Sequence, residues 1–265
     1  MNKNAKLVLT VALATLAASA FAADLTLPQL IEKNNQARGG KAAWDAAKSL
    51  RVTGSLELAP EMVAPFSLVA VQPAKFRMDF EFQGVKATQA YDGETGWHVM
   101  PFMGSPDPQK SSPEQLGQAQ RTADIAGPLF DSEKKGYQLE LLGQEDVAGK
   151  PAYKIKVKKG AEESTLFLDA ASFLEVKELR TVTTDQGAEM TVEIETGDYK
   201  KAGGLLVAHS IHSKLAGAPQ GQKVLISKIE VNPADVPADF FKMPPPAPKP
   251  PAAPAPPAAP PGGQN

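Results

Sequence analysis

Residues 75–83 place an apolar side chain at every second position without interruption. The apolar members are Phe76, Met78, Phe80 and Phe82. Because successive side chains of a β-strand point to opposite faces of a sheet, this alternation predicts a strand with one apolar and one polar face. Residues 92–96 then have the composition of a turn, and Trp97 begins the return strand. What covers the apolar face is the question that bears on function.

The same two-residue period continues to Val231 and predicts about eleven strands at hairpin spacing, as in an antiparallel sandwich or barrel. The first five predicted strands cover residues 50–58, 62–71, 75–83, 85–91 and 96–100, and the others lie between residues 137 and 231. Two short helices are predicted before the first strand. Thr26 and Gln29 have the spacing of a capping box, and Gly39-Gly40 separates the two helices.

Residues 101–136 interrupt the strand pattern. Pro101, Pro106 and Pro108 favour an irregular loop, and Ser112-Pro113 favours the start of a helix. The apolar residues of this insert include Leu116, Ile125, Leu129 and Phe130. Two interpretations are open: the insert is either a surface crossover or a lid over one opening of the sheet, because long inserts often form lids or binding loops.

The two ends of the chain differ in composition from the part between them. Residues 1–22 have the pattern of an export signal, with two early lysines, an apolar run at residues 7–18 and Ala20-Phe21-Ala22 as a cleavage site. A retained membrane anchor is the alternative. Residues 244–265 are rich in proline and alanine and are either a spacer or a proline-recognition segment. These patterns predict an exported, periplasmic domain at residues 23–243.

Composition excludes several classes of function. The formal net charge is −2 with no basic cluster, which argues against nucleic acid as a partner. The absence of cysteine excludes disulfides, thiolate metal sites and an N-terminal lipid-anchored cysteine. No catalytic motif is present, and His209 and His212, three apart on a strand, point to opposite faces. We therefore predict a protein that is not an enzyme and has no metal or cofactor.

The apolar strand faces are the remaining candidate site. If the sheet curls and its inner layer is not filled, an apolar cavity remains, whereas a filled layer gives an ordinary core. Sequence alone does not separate these two cases, because both use the same residue types. The candidate lining residues are Val52, Leu56, Leu58, Phe66, Leu68, Phe76, Met78, Phe80, Phe82, Trp97 and Val99.

Two motifs carry a resemblance to a known family. The run PAKFRMDF is followed by DGETGWHVMPF, in which Asp92, Gly93, Thr95, Trp97, Pro101 and Phe102 match a D-G-x-T-x-W turn followed by Pro-Phe. This arrangement resembles the LolA-like periplasmic lipoprotein carriers and the related outer-membrane lipoprotein-sorting proteins. The resemblance extends over about residues 27–244.

The resemblance implies a fold and a role. The fold would be an unclosed antiparallel β-barrel with helices at its opening, here the N-terminal helices and the residue 101–136 lid. The role would be that of a soluble, monomeric carrier of acylated lipoprotein or lipid, served by an inner-membrane extraction complex and an outer-membrane receptor. One departure is Gln72, because the best-known carriers have an arginine before Pro73 that helps to fasten the lid. An envelope-stress sensor that signals to a membrane regulator is the alternative role.

Overall fold

A computed structural model describes residues 25–59, 62–183 and 188–246. The predicted export signal, and all but the first residues of the proline-rich tail, lie outside the described residues. The helices are α1 (Leu27–Ala37), α2 (Lys41–Ala46) and α3 (Pro113–Ala123), and a 3-10 turn spans Pro101–Met103. The strands are β1 (Ser49–Ala59), β2 (Met62–Val71), β3 (Lys75–Phe82), β4 (Val85–Tyr91), β5 (Gly96–Met100), β6 (Ser105–Lys110), β7 (Gln138–Val147), β8 (Lys150–Lys159), β9 (Glu162–Asp169), β10 (Glu175–Thr183), β11 (Glu189–Gly197), β12 (Lys200–Ala202), β13 (Leu205–Val207), β14 (Ser210–Leu215) and β15 (Gln222–Val231).

Thirteen of the described strands form one antiparallel sheet in the order β6-β5-β4-β3-β2-β1-β15-β14-β11-β10-β9-β8-β7, and β12 pairs only with β13. Since β6 and β7 do not pair, the sheet remains unclosed, as predicted. The expected count of about eleven strands is too low. Residues 105–110 form β6 although they contain two prolines, because an edge strand tolerates residues that cannot donate to a neighbour.

Helices α1 and α2 begin and end where the sequence predicted. The Thr26 backbone N–H donates to Gln29 Oε1 at 2.9 Å, which is one half of the predicted capping box. Leu30 of α1 packs with Tyr153 and Ile155, and Trp44 of α2 packs with Leu50. Strands from both halves of the sheet therefore pack against the helices, which lie along a single face. We call this face the inner face and the opposite one the outer face.

The register of the strands fixes which residues share the inner face. Val52 pairs with Leu68, Leu68 with Met78, and Phe66 with Phe80, and directly paired residues point the same way. Gly54 pairs with Phe66, and a Cβ at Gly54 would lie 2.9 Å from the Phe66 ring. The absence of a side chain at Gly54 therefore leaves room for the Phe66 ring on the inner face.

Candidate functional site

The apolar residues of β1, β2 and β3 that the sequence singled out lie together on the inner face. Pairing across the three strands brings together Val52, Leu56, Phe66, Leu68, Phe76, Met78, Phe80 and Phe82. Leu58 belongs to β1, but its side chain lies outside what the structure describes. The alternation in residues 75–83 therefore predicted the face of β3 correctly.

The prediction that Trp97 and Val99 line the same wall is wrong. Trp97 pairs with Ala90, and Ala90 with Arg77, so Trp97 lies on the outer face. Val99 reaches the same outer face through its pairing with Thr88 opposite Asp79. The phase of β5 relative to β3 is set by the turn between β4 and β5, and the alternation within β3 does not reveal it.

The outer-face tryptophan holds the C-terminal segment instead. Trp97 Nε1 donates a hydrogen bond to the Phe241 carbonyl at 2.8 Å, and Phe241 is itself buried. The Arg77 guanidinium lies 4.8 Å from the Phe240 ring centroid and donates to the Phe240 carbonyl at 3.2 Å. The adjacent Phe240-Phe241 after the last strand was the sequence signal for this contact. Arg77 therefore lies on the outer face. It does not take the place of the arginine that the best-known carriers have at the position of Gln72.

Burial changes along the inner face of β3. Phe76 is only 1% exposed and packs with Ala119 and Ala123 of α3. Phe80 and Phe82, toward the end of the strand, are half-buried. Their rings lie 5.9 and 6.2 Å from the ring of Phe102, which is itself exposed. The inner face thus changes from a packed core beneath α3 to an accessible aromatic row at the strand end.

The insert lies across the inner face. Helix α3 places Leu116, Ala119 and Ala123 against strands β2 to β4. Of the other predicted lid residues, Ile125 and Phe130 pack near Trp44, and Leu129 is buried beside Leu30. This placement matches the lid interpretation in geometry. Whether the insert opens stays a prediction.

The far end of α3 is fastened to β9 by charge. Arg121 forms an ion pair with Glu162, and Gly117 leaves space for the Glu162 carboxylate beside the helix. Ser112 caps the start of the helix by accepting from the Gln115 backbone N–H at 3.3 Å. The cap thus stabilises the start of the helix, and the ion pair fastens its end to the sheet.

A pocket lies between the insert and strands β8 to β10, and eight of its fifteen lining residues are charged. Arg180 and Glu178 form a two-point ion pair in its wall, at 3.1 and 2.7 Å. The Lys159 ammonium lies 4.7 Å from the Tyr137 ring centroid. Burial and the nearby Asp124 carboxylate raise the pKa of the Tyr137 hydroxyl to about 12. This end of the inner face thus carries several charged side chains in place of an unbroken apolar surface.

Glu175 is the most desolvated carboxylate of this pocket. Its Oε1 atom is buried without a hydrogen-bond partner, and the nearest cation is Arg38, whose Nη1 lies 4.0 Å away. Desolvation raises the pKa of the Glu175 carboxyl above its usual range, and the Arg38 charge only partly opposes this. The sequence did not single out Glu175, because burial of the strand start depends on the insert that covers it.

The histidines and acids of the described residues do not form a metal site. No group of three or more histidine, aspartate or glutamate side chains within residues 25–59, 62–183 and 188–246 is placed to hold an ion. His209 is buried in the interior, with Nδ1 3.0 Å from the Val207 carbonyl oxygen. Among the helices that the structure describes, none is long and apolar enough to cross a membrane.

Comparison with family models and with curated proteins finds no match. Comparison with solved structures finds a LolA superfamily protein of Nitrosomonas europaea at 16% identity, covering 82% of this chain and 97% of that chain with a TM-score of 0.57. A domain assigned to outer membrane lipoprotein sorting in Vibrio parahaemolyticus matches at 14% identity, 82% and 96% coverage and a TM-score of 0.52. A DUF1329 family protein of Desulfovibrio piger matches at 12% identity, 80% and 94% coverage and a TM-score of 0.53. The chain therefore has the fold of the LolA superfamily and lipoprotein-sorting structures, which is the fold that the motifs at residues 73–102 indicated.

Proposed function

We propose that the protein is a periplasmic carrier that shields the acyl chains of a lipid or lipoprotein on the inner face of its sheet, without enzymatic activity of its own. The observation that carries the proposal is the accessible apolar row of Leu56, Phe80 and Phe82 at one end of that face. The cluster beneath α3 contains Phe76 and Met78 but neither Phe80 nor Phe82. Phe102 of the insert packs against these two rings but is itself exposed, and α3 does not cover them, so the row is available to a ligand.

The energetics of transfer suit such a row. Moving an acyl chain out of water gains about 0.8 kcal/mol per CH₂, whether the chain enters a membrane or a protein cavity. Transfer between the two is therefore close to neutral, and a carrier needs shielding more than tight binding. Met78 and Phe82 offer an adaptable surface rather than a shaped pocket, which is compatible with chains of different length.

The proposal assigns different roles to the residues of the apolar wall. Leu56, Phe80 and Phe82 would contact the chain directly beside the buried Phe66, with Val52, Leu68 and Met78 reached when α3 moves. Phe76 would support the closed lid. Export through the signal at residues 1–22, with cleavage after Ala22, belongs to the same proposal.

The test replaces Phe80 with aspartate and measures lipid that co-purifies from cells, by native mass spectrometry. We expect lipid masses on the parent protein and their loss from Phe80→Asp, because a charge on the inner face must be desolvated before an acyl chain can pack there. Leu225→Asp is the matched control, since Leu225 is an exposed leucine on the outer face and should leave lipid retention unchanged. The same spectra give the mature mass, which should correspond to a chain that begins at Ala23.

Two results would contradict the proposal. One is a parent protein that carries no lipid and extracts no lipoprotein from membranes. The other is a folded Phe80→Asp variant, judged by circular dichroism, that keeps its lipid.

A further inference from the structure

The exposed large apolar side chains are concentrated along one edge of the sheet. This edge, here called the open rim, is where β1, β3, β5 and β14 end and β2, β4, β6, β11 and β15 begin. Of the nine exposed large apolar residues among those the structure describes, seven lie there: Met62, Val63, Val85, Phe102, Met103, Met190 and Leu215. Only Leu142 and Leu225 lie elsewhere. Scattered single exposures are ordinary, but a row confined to one edge marks an interaction surface.

Three described turns between these strands carry no charge, whereas the sequence places Glu61 between β1 and β2 and Asp185 before β11. The described turns at residues 83–84, 101–104 and 216–221 contain no lysine, arginine, aspartate or glutamate. On the opposite rim, the turn between β4 and β5 contains Asp92 and Glu94 and Asp198 follows β11, whereas the turns at residues 72–74 and 170–174 are uncharged. Most turns are solvated and polar. Uncharged turns beside exposed methionine and phenylalanine are therefore consistent with a surface that is desolvated when it binds a partner.

The open rim is continuous with the apolar inner face. Val85 pairs with Phe82, and Leu215 pairs with Val192, so rim residues of both halves share the inner face. Phe102 packs on the rings of Phe80 and Phe82 and joins the rim to the aromatic row. A chain that leaves a membrane at this rim would pass directly onto the inner face without crossing water.

The charges behind the rim give it no excess of positive charge. Lys86 pairs across the strands with Glu81, and Lys223 with Glu57, all on the outer face. Electrostatic attraction to an anionic surface therefore contributes little to binding. The affinity of this rim for a partner comes from its apolar side chains. The exposed apolar residues of the rim belong to separate hairpins. Three of them are methionines, whose flexible side chains can adapt to a fluid surface.

We propose that the open rim docks on the surface of a phospholipid bilayer, with its uncharged turns at the headgroup–acyl boundary. This inference rests on the proposed carrier function and specifies where cargo enters. Because the rim has no excess of positive charge, docking should occur on uncharged as well as anionic bilayers and should change little with salt.

The test measures co-flotation of the full mature chain with vesicles of phosphatidylcholine alone and of phosphatidylethanolamine with phosphatidylglycerol. The rim variant is Val63→Asp with Met103→Asp, at side chains that are 53% and 70% exposed and form no ring contact with the aromatic row. The matched control is Leu142→Asp with Leu225→Asp, at the two exposed leucines away from the rim, 45% and 39% exposed. We expect the rim variant to lose at least about tenfold in vesicle partitioning, since it lacks two apolar side chains that docking would bury, and the control to partition like the parent.

Parent protein that does not float with either vesicle overturns the inference, and so do rim and control variants that fall equally. Flotation only with anionic vesicles, abolished by salt, also overturns it, because that result indicates charge attraction. A parent dimer in sedimentation that the rim variant dissociates, without vesicle binding, would assign the rim to a second copy of the chain. Lipid retention separates this test from the carrier proposal: a parent that keeps lipid but never docks contradicts only the rim, and one that docks but never holds lipid contradicts the carrier.

Discussion

Single residues on the inner face have roles that their neighbours on the sheet decide. Phe76 and Phe82 are equivalent in the sequence pattern, yet the first is core beneath α3 and the second is half-exposed beside Phe102. Glu175 is a similar case, since as the first residue of a strand it would normally be solvated. Here it lies beneath the insert with one carboxylate oxygen unpartnered.

Glu175 should make the stability of the protein depend on pH. Its pKa is raised in the folded state by desolvation, so the folded protein binds this proton more readily than the unfolded chain. The stabilisation is complete below the usual glutamate pKa of about 4.3 and is lost as pH rises through the higher folded pKa. Glu175→Gln removes this dependence. Urea unfolding from pH 4 to pH 8 should therefore show the variant gaining stability relative to the parent as pH rises.

The control for this measurement is Glu189→Gln, at an exposed position at the start of β11. That substitution should leave the pH dependence of the unfolding free energy unchanged. If the unfolding free energies of the parent and Glu175→Gln differ by the same amount at every pH from 4 to 8, the desolvation of the Glu175 carboxylate is contradicted.

At the scale of the element, the buried side of α3 consists of small residues that pack against aromatic rings of the sheet. Ala119 and Ala123 are both fully buried against Phe76 and Tyr91, and small side chains allow the helix to approach the sheet closely. The helix is capped at Ser112 and fastened by the Arg121–Glu162 pair, so its position depends on a few contacts at its ends and one buried stripe.

Enlarging that stripe should lift the insert. Ala119→Trp is expected to lower the free energy of unfolding by about 1–3 kcal/mol, because the added ring overpacks the contact with Phe76. Gln118→Trp adds the same ring on the exposed side of α3 and should change stability by no more than about 0.5 kcal/mol. Amide exchange should accelerate within residues 113–136 in the first variant only. Unchanged exchange in both variants would show that Ala119 does not fix the helix.

At the scale of the whole molecule, the unclosed sheet leaves two edge strands, β6 and β7. Free edges invite pairing with other chains, and proteins limit this with prolines, bulges and charges. Strand β6 contains Pro106 and Pro108, which have no N–H to donate. Strand β7 is broken by a register shift between Leu141 and Gly143. Both edges thus carry features that disfavour self-association.

Removing the prolines should test this protection. Pro106→Val with Pro108→Val restores two backbone donors on the free edge, each able to form a hydrogen bond worth about 0.5–1.5 kcal/mol. We expect the parent to sediment as a monomer and the double variant to self-associate at the same concentration. Pro237→Val, in the exposed segment after β15 and away from both edge strands, is the control. A monomeric double variant would show that the edge is protected by another feature.

The sequence by itself determined the class of fold, the faces of individual strands and the first helices. Alternation identified the apolar face of β3, and the capping residues located α1, because both depend on neighbours in the chain. The motifs at residues 73–102 indicated the LolA-like architecture. The two prolines of β6 prevented this strand from being predicted, because proline is tolerated in an edge strand but disrupts a central one.

Only the tertiary structure decided what each apolar face touches. The register of β5 moved Trp97 and Val99 to the outer face, where Trp97 holds the Phe241 carbonyl. The path of α3 divided the inner face into a buried core around Phe76 and an accessible row at Phe80 and Phe82. The register of the strands, the position of the lid and the alignment of exposed residues along one rim all depend on contacts between residues that are distant in the chain. Local alternation contains no information about such contacts, because it is the same for a packed core and for the wall of a cavity.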